Sequence, residues 1–217
     1  SIEDMNSAAF SVVVVCLLFF VVVDAQMERQ CTCSEFEPCK QAAASPQAFI
    51  QCADRCQNHV TALGASYPAV RQCILAYQAQ FQNAAACVER SVGQACAPSY
   101  GYQVPKRYPS TTQLAAMREI NTMLARSGLQ NEARGLLSIG KKAAGCASKC
   151  IQGGGGGCLK NLGCGLALPS DNVLVSNVKQ CAMAAGFDTY TVRNICGCLA
   201  NAGVRQLANM CSRIIIS

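Results

Sequence analysis

The chain has 217 residues, with 18 Lys and Arg, 12 Asp and Glu, a single His, no Trp and a formal charge of +6. This length allows one or two small domains with cores of their own. The positive charges are scattered, with only Lys106-Arg107 and Lys141-Lys142 adjacent. No basic stripe is interleaved with aromatic residues, so the composition argues against a nucleic-acid-binding protein.

The N-terminal segment predicts secretion. The apolar run Val12–Val23 is twelve residues long, shorter than the roughly 20 residues that span a bilayer. The run ends at Val23-Asp24-Ala25, with small or modest residues at the positions that a signal peptidase reads, although no Lys or Arg precedes it. We therefore expect a cleaved signal over residues 1–25, with 1–4 upstream of the start at Met5 and Gln26 as the mature N-terminus. The alternative is an uncleaved anchor.

The predicted mature chain is basic. No later segment is apolar and long enough to span a membrane, so we expect no transmembrane segment after residue 25. Removal of the signal takes three acidic residues and leaves 18 Lys and Arg against nine Asp and Glu. This excess favours an anionic partner such as a glycan or a lipid headgroup.

Cysteine dominates the mature sequence. Loss of Cys16 with the signal leaves sixteen, an even and dense set that predicts disulfide bonds in an extracellular protein. No C-x2-C pair exists and His59 is the only histidine, so we expect no metal site and no cofactor. The predicted disulfide cysteines are Cys31, Cys33, Cys39, Cys52, Cys56, Cys73, Cys87, Cys96, Cys146, Cys150, Cys158, Cys164, Cys181, Cys196, Cys198 and Cys211.

These cysteines form two sets of eight, separated by 49 residues without a cysteine. The sequence predicts a cysteine-rich helical domain over 26–97, a linker or ordered loop over 98–113 and a second cysteine-rich helical domain over 114–217. The even split favours bridges within each half. Bonds between the halves are the alternative, and the pairing itself cannot be deduced.

Two spacings indicate an internal duplication. Cys56 to Cys73 and Cys164 to Cys181 each enclose sixteen residues. The matched cysteines end the similar tetrapeptides Val70–Cys73 and Val178–Cys181.

Helical periodicity runs through the mature chain, and alternating strand patterns are absent. Caps, prolines and glycines mark the helix ends. The predicted helices run from Ser45-Pro46 to Gly64, from Pro68 to Ala84, from Thr111 or Thr112 to Gly128, from Asn131 to Ile151, from Ser170-Asp171 to Gly186, and from Asp188-Thr189 through Cys198. Two helices carry C-x3-C pairs, whose sulfurs leave the same face and favour two bonds to one neighbouring helix.

Candidate sites are few, and we expect no catalytic residue. His59 is offset from the face of Asp54. Glu35 and Glu37, in a predicted tight loop CTCSEFEPC, are candidates for a cation site or a carboxylate pair, although a solvated loop is favoured. Gly153–Gly157 lacks the Lys-Ser/Thr of a phosphate loop and predicts a flexible connection. Lys106-Arg107 is a candidate processing site.

The stretch CADRCQNHVTALGASYPAVRQC…ACVERSVGQAC, between Cys52 and Cys96, resembles secreted cysteine-rich helical proteins of nematodes. Its C-x3-C helix followed by widely spaced single cysteines is loosely similar to chondroitin proteoglycan core domains, and Cys146 and Cys150 repeat the layout. The resemblance implies a secreted, stapled helical fold. Such a core should carry several Ser-Gly steps, whereas this chain has only Ser127-Gly128.

Together these features predict an all-α, disulfide-rich, secreted protein that is not an enzyme. The first hypothesis is a structural or binding protein that presents a rigid cationic helical surface to an extracellular partner. The second is a stapled lipid carrier or membrane-active defence protein, for which Ala84–Ala86 and Ala182–Ala185 would line the helix faces. The third is a protease inhibitor that uses the CTCSEFEPC segment.

Overall fold

A computed structural model describes residues 26–43, 46–151 and 161–216, except for the side chains of residues 42–48. The predicted disulfide-rich all-α fold is confirmed. The elements are β1 (Met27–Arg29), α1 (Cys33–Ala43), α2 (Pro46–Arg55), α3 (Asn58–Thr61), α4 (Tyr67–Leu75), α5 (Gln78–Val92), β2 (Gln103–Pro105), α6 (Pro109–Arg126), α7 (Gln130–Ile151), α8 (Asp171–Ala184), α9 (Thr189–Asn201) and two 3₁₀ turns, Arg205–Leu207 and Cys211–Arg213.

The expected absence of strands is wrong at the start of the mature chain. β1 pairs antiparallel with β2, with Glu28 opposite Val104. The chain then bridges Gly165 and Ala97 from Gln30 and Thr32. The segment is too short for an alternating sequence pattern, and its pairing partners come from distant parts of the chain.

The CTCSEFEPC segment is helical, so the predicted loop is wrong. The Thr32 Oγ1 accepts a hydrogen bond from the Glu35 amide at 3.3 Å, and the Thr32 amide donates to Glu35 Oε2 at 2.9 Å. This reciprocal pair is a capping box, which satisfies two amides that helix geometry leaves without a partner. It starts α1 at Cys33.

Two other predicted helices are each divided. The helix expected from Pro46 to Gly64 ends at Arg55 and resumes as the single turn α3, since the chain turns at Cys56. The next one stops at Leu75 and restarts at Gln78. The apolar period continues across both turns, which is why the sequence predicts one helix in each place. In addition, α6 begins at Pro109, before Thr111 and Thr112.

Seven disulfides connect the described residues: Cys31–Cys164, Cys33–Cys96, Cys52–Cys150, Cys56–Cys146, Cys73–Cys198, Cys87–Cys181 and Cys196–Cys211. Five of them join the first cysteine set to the second, so the expectation that bridges stay within each half is wrong. Cys39 is also disulfide-bonded, and Cys158 lies outside the described residues.

Helices pack in the pairs that the bonds connect. α2 and α3 contact α7, α4 contacts α9, and α5 contacts α8, which in turn contacts α6. The predicted linker at 98–113 contains β2 and the first turns of α6. The division of the chain into two domains there stays a prediction.

The buried set consists mostly of cysteine and alanine, and Leu129 and Cys31 are the largest fully buried side chains. Leu136 packs against both apolar clusters, one formed around Val70 and Val204 and the other around Leu129 and Met210. Cross-links therefore replace much of the large-side-chain packing that usually holds helices together.

Candidate anion-binding surface

Helix α7 gathers charges that look scattered in the sequence. Arg134, Lys141, Lys142 and Lys149 are all exposed. At 100° per residue they fall within an arc of about 100° and extend over about 22 Å of the helix axis. We call these four residues the α7 cationic face. The one acidic residue of α7, Glu132, lies in the first turn and pairs with Arg213, which is not on α7.

The α7 cationic face has no ion-pair partner in the part of the chain that the structure describes. Its one side-chain contact is from Arg134 to the Asn131 amide oxygen, at 3.4 Å. Six of the nine acidic residues from Gln26 onward are instead paired with other cations. The pairs are Arg29–Glu35, Lys40–Glu89, Arg71–Asp54, Arg107–Asp171, Lys179–Glu119 and Arg213–Glu132. Among the described helices, α7 therefore carries the largest number of cations without an ion pair.

The rest of α7 is fixed to the protein. Cys150 and Cys146 bond to Cys52 and Cys56 of α2, two rungs one turn apart, and their reversed order makes the two helices antiparallel. Leu136 packs into the core on the side opposite the cations. The face is thus a rigid array, because the helix that carries it is cross-linked twice.

Small residues separate the cations. Ser138 and Gly145 lie on the same arc as the charged side chains, before and after Lys141-Lys142. A Cβ added at Gly145 would meet nothing within 4 Å. Glycine costs a helix about 1 kcal/mol relative to alanine, and here no neighbouring group requires it. Arg55, exposed at the end of α2, adds a further cation, since its Nη1 lies 3.9 Å from Cys150 Sγ.

A cleft between α6 and α8 is the second candidate. One part has a volume of about 470 Å³ and the adjoining part about 290 Å³. Hydrogen bonds from Thr111 and Thr112, together with the Arg107 guanidinium, hold the pKa of Asp171 below its usual value. Arg118 lines both parts and has no ion pair among the described residues. One exposed cation contributes little affinity, so this cleft is the weaker candidate.

No family model, curated protein or solved structure matches this chain. The resemblance to nematode cysteine-rich proteins and proteoglycan cores therefore stays a prediction. In the described ranges, no helix has the length and apolar character to cross a bilayer. The same ranges contain no cluster of three or more His, Cys, Asp or Glu side chains able to hold a metal ion.

The structure separates His59 from Asp54. Asp54 accepts a hydrogen bond from the Tyr67 hydroxyl at 2.6 Å and one from Arg71 Nε at 3.0 Å, and these bonds hold the pKa of its carboxyl below the usual value. Burial, followed by the bond to Asp54, raises the pKa of Tyr67 to about 12. His59 makes no side-chain hydrogen bond within the described residues. The Asp54 carboxylate, which would have to orient a catalytic imidazole, is bonded to Tyr67 and Arg71 instead.

Glu35 and Glu37 do not form a carboxylate pair. The Arg29 guanidinium bonds Glu35 at 2.8 Å and, with the Thr32 amide and hydroxyl, lowers the pKa of Glu35 to about 2. Glu37 is exposed and accepts a bond from Gln41. Glu35 therefore has a structural role as the cap and ion-pair partner of the α1 start.

The two candidate modification sites are both engaged in contacts. Arg107 donates to the carbonyls of Leu168 and Pro169 and pairs with Asp171, so a processing enzyme would have to break these contacts first. The Ser127 hydroxyl donates to the Met123 carbonyl at 3.0 Å and accepts from the Ile215 amide at 2.9 Å. Sugar attachment at Ser127 would disrupt that connection to the C-terminal tail.

Other predicted features fall outside the described residues. These are the signal at 1–25 and the Gly153–Gly157 run. The α7 cationic face was missed because only Lys141-Lys142 is visible as an adjacent pair. Projection of the predicted 131–151 helix at 100° per residue would have brought Arg134 and Lys149 to the same side.

Proposed function

We propose that this chain is a secreted, non-catalytic binding protein that holds an anionic extracellular partner on the α7 cationic face. The observation that carries the proposal is a row of four exposed, uncompensated cations on a doubly cross-linked helix. Soluble surfaces usually intersperse both signs of charge, and six ion pairs do so elsewhere among the described residues. Because the helix backbone is already cross-linked, binding has to order only the side chains of the row.

Extracellular placement is supported by the chemistry of the fold. Seven disulfides between described residues hold a core of small side chains, and such bonds persist in oxidising compartments. A non-catalytic role is supported by the engagement of Asp54 and Glu35 with other side chains, which leaves neither carboxylate bonded to His59.

The alternatives have less support. A lipid carrier needs an enclosed apolar chamber, whereas the two clefts along α6 and α8 are open to solvent. Ala84–Ala86 and Ala182–Ala185 lie on α5 and α8, which pack against each other. A protease inhibitor needs an exposed stapled loop, and the segment proposed for it forms α1.

The test begins with secretion from a eukaryotic cell line and determination of the N-terminus, which we expect at Gln26. Binding of the purified protein to fixed cells is then measured at rising salt. We expect binding that weakens with salt and that Lys141→Gln/Lys142→Gln reduces strongly. Equal binding by wild type and this variant, or intracellular retention, would contradict the proposal.

A further inference from the structure

We infer that the partner on the α7 cationic face is a linear sulfated polysaccharide lying along the helix axis. This inference rests on the proposed function and names the class of partner. Its basis is the shape of the charge: Arg134, Lys141-Lys142 and Lys149 form three successive positions along one line of about 22 Å. A linear polyanion presents charge along one dimension, and so it can meet all three positions at once.

The surface between the cations favours close approach of a chain. Ser138 and Gly145 leave the helix surface low between the charged side chains, and the space beside Gly145 is empty to 4 Å. Glycine on a helix face allows a ligand to approach the backbone closely. The order of cation, small residue, cation pair, small residue and cation therefore forms a shallow track bordered by charge, with Arg55 near one end.

A lipid bilayer fits this face less well. A helix that lies in a membrane surface buries apolar side chains beside its cations. The arc of α7 that carries the cations has no apolar side chain, and Leu136 and Leu137 are packed in the core. Single-stranded nucleic acid also fits poorly, because the face offers no aromatic ring for base stacking. Binding of a sulfated sugar chain requires only positioned cations and an accessible surface around them.

The experiment measures binding of the oxidised wild-type protein to size-fractionated heparin by titration calorimetry. Lys141→Gln/Lys142→Gln should bind about 30-fold more weakly, on the basis of two lost charges next to a polyanion. The matched control is Arg90→Gln/Arg205→Gln, which removes two exposed cations outside α7 and should change affinity by less than about threefold. Desulfated, N-acetylated heparin should not bind.

A second pair of variants distinguishes the effect of the track's shape on affinity from the effect of net charge. Gly145→Gln adds a neutral side chain between the cations and should weaken heparin binding about tenfold while raising helix propensity. Gly140→Gln, on the other side of α7 and likewise free of neighbours within 4 Å, should leave affinity unchanged. Non-reducing mass and thermal melts confirm that each variant is folded and fully bridged.

Equal losses of heparin affinity in the α7 double variant and in the Arg90→Gln/Arg205→Gln control, or unchanged affinity in Gly145→Gln, would overturn the inference. Vesicles containing phosphatidylserine form the comparison arm. Binding to vesicles through the α7 lysines without binding to heparin would overturn the polysaccharide inference and leave the proposed function standing. Failure to bind heparin, vesicles and cells would overturn both.

Discussion

The two disulfides between α2 and α7 close nearly the same loop of the chain. We can therefore predict how much each of them contributes to the free energy of unfolding. We consider Cys56→Ala/Cys146→Ala, which removes one rung and leaves Cys52–Cys150 in place. Taken alone, a bond across a sequence separation of 90 residues is worth about 4.6 kcal/mol in the loop-entropy model. With the neighbouring rung intact, the loop that it closes contains only about ten residues. The expected loss is then about 2.7 kcal/mol.

The matched variant Cys52→Ala/Cys150→Ala should cost the same, about 2.7 kcal/mol, because the remaining rung again limits the loop to about ten residues. Removal of both rungs should cost more than the two single losses together. Among the bonds whose two cysteines are both described, the shortest remaining route from Cys52 to Cys150 then runs through Cys31–Cys164 and closes about 35 residues. The second bond is therefore worth at most about 3.8 kcal/mol and the pair at most about 6.5 kcal/mol, because the further bond of Cys39 can only shorten this route.

The assay is urea unfolding of the oxidised proteins by far-ultraviolet circular dichroism, with linear extrapolation to water. The other disulfides are verified by non-reducing mass. The signature is a loss for the double removal that exceeds the sum of the single losses by up to about 1 kcal/mol. A double loss equal to or below that sum, or single losses near 4.6 kcal/mol, would refute the shared-loop reasoning.

Gly140→Ala should raise the free energy of unfolding by about 1 kcal/mol, since alanine is the better helix former and its Cβ meets no atom within 4 Å; a loss in urea unfolding would contradict this. Gly203→Ala should destabilise, because φ is +109° and the new Cβ would lie 2.8 Å from a backbone carbonyl oxygen; an unchanged melting temperature would contradict it. Limited trypsin digestion should spare Arg107, and Asp171→Asn should expose it; equal cleavage of both proteins would show that the ion pair gives no protection. The phenol of Tyr67 should titrate near pH 12. Because this pKa lies above that of the unfolded chain, about 10, its stabilisation is complete below pH 10 and is lost as the pH rises to 12. Ultraviolet titration against Tyr67→Phe checks this, and a difference curve centred near pH 10 would refute it.

Local signals in the sequence predict several helix ends well. Asp188 accepts the Thr191 amide as the cap of α9, and Gly186 follows α8 with φ of +94°. Such signals depend on a few neighbouring residues, so they are readable without tertiary information. The turn at Cys56 is not readable in this way, because Val60 and Leu63 continue the apolar period while the backbone changes direction.

The pairing of cysteines lies beyond the reach of spacing rules, since it depends on which helices meet. The same limit applies to the candidate surface. Lys141-Lys142 is evident from the sequence, but the exposure of that face depends on Cys146 and Cys150 being bonded to α2 on another side of α7. Whether a charge is compensated is also a tertiary property, as the pairing of Lys179 with Glu119 on a neighbouring helix illustrates.

The duplication predicted from spacing stays a prediction, and the bonds are compatible with it only in a different alignment. If Cys52, Cys56, Cys73 and Cys87 are matched in order to Cys146, Cys150, Cys181 and Cys198, four bonds exchange in pairs: Cys52–Cys150 with Cys56–Cys146, and Cys73–Cys198 with Cys87–Cys181. Two similar units that are related by a two-fold axis produce such an exchange. It aligns Cys52-Ala53-Asp54-Arg55-Cys56 with Cys146-Ala147-Ser148-Lys149-Cys150, so Cys56 corresponds to Cys150 instead of Cys164.

This alignment bears on the α7 cationic face. Counting back from the matched cysteines, Lys141 and Lys142 correspond to Gln47 and Ala48 of α2. Both helices make the same two bonds to each other, yet only one carries the adjacent lysines. The cross-linked helix pair therefore does not require them, and a purely structural origin for the lysines would leave this difference unexplained. Their restriction to one copy is what we expect if the second unit kept the fold and acquired a surface for an anionic partner.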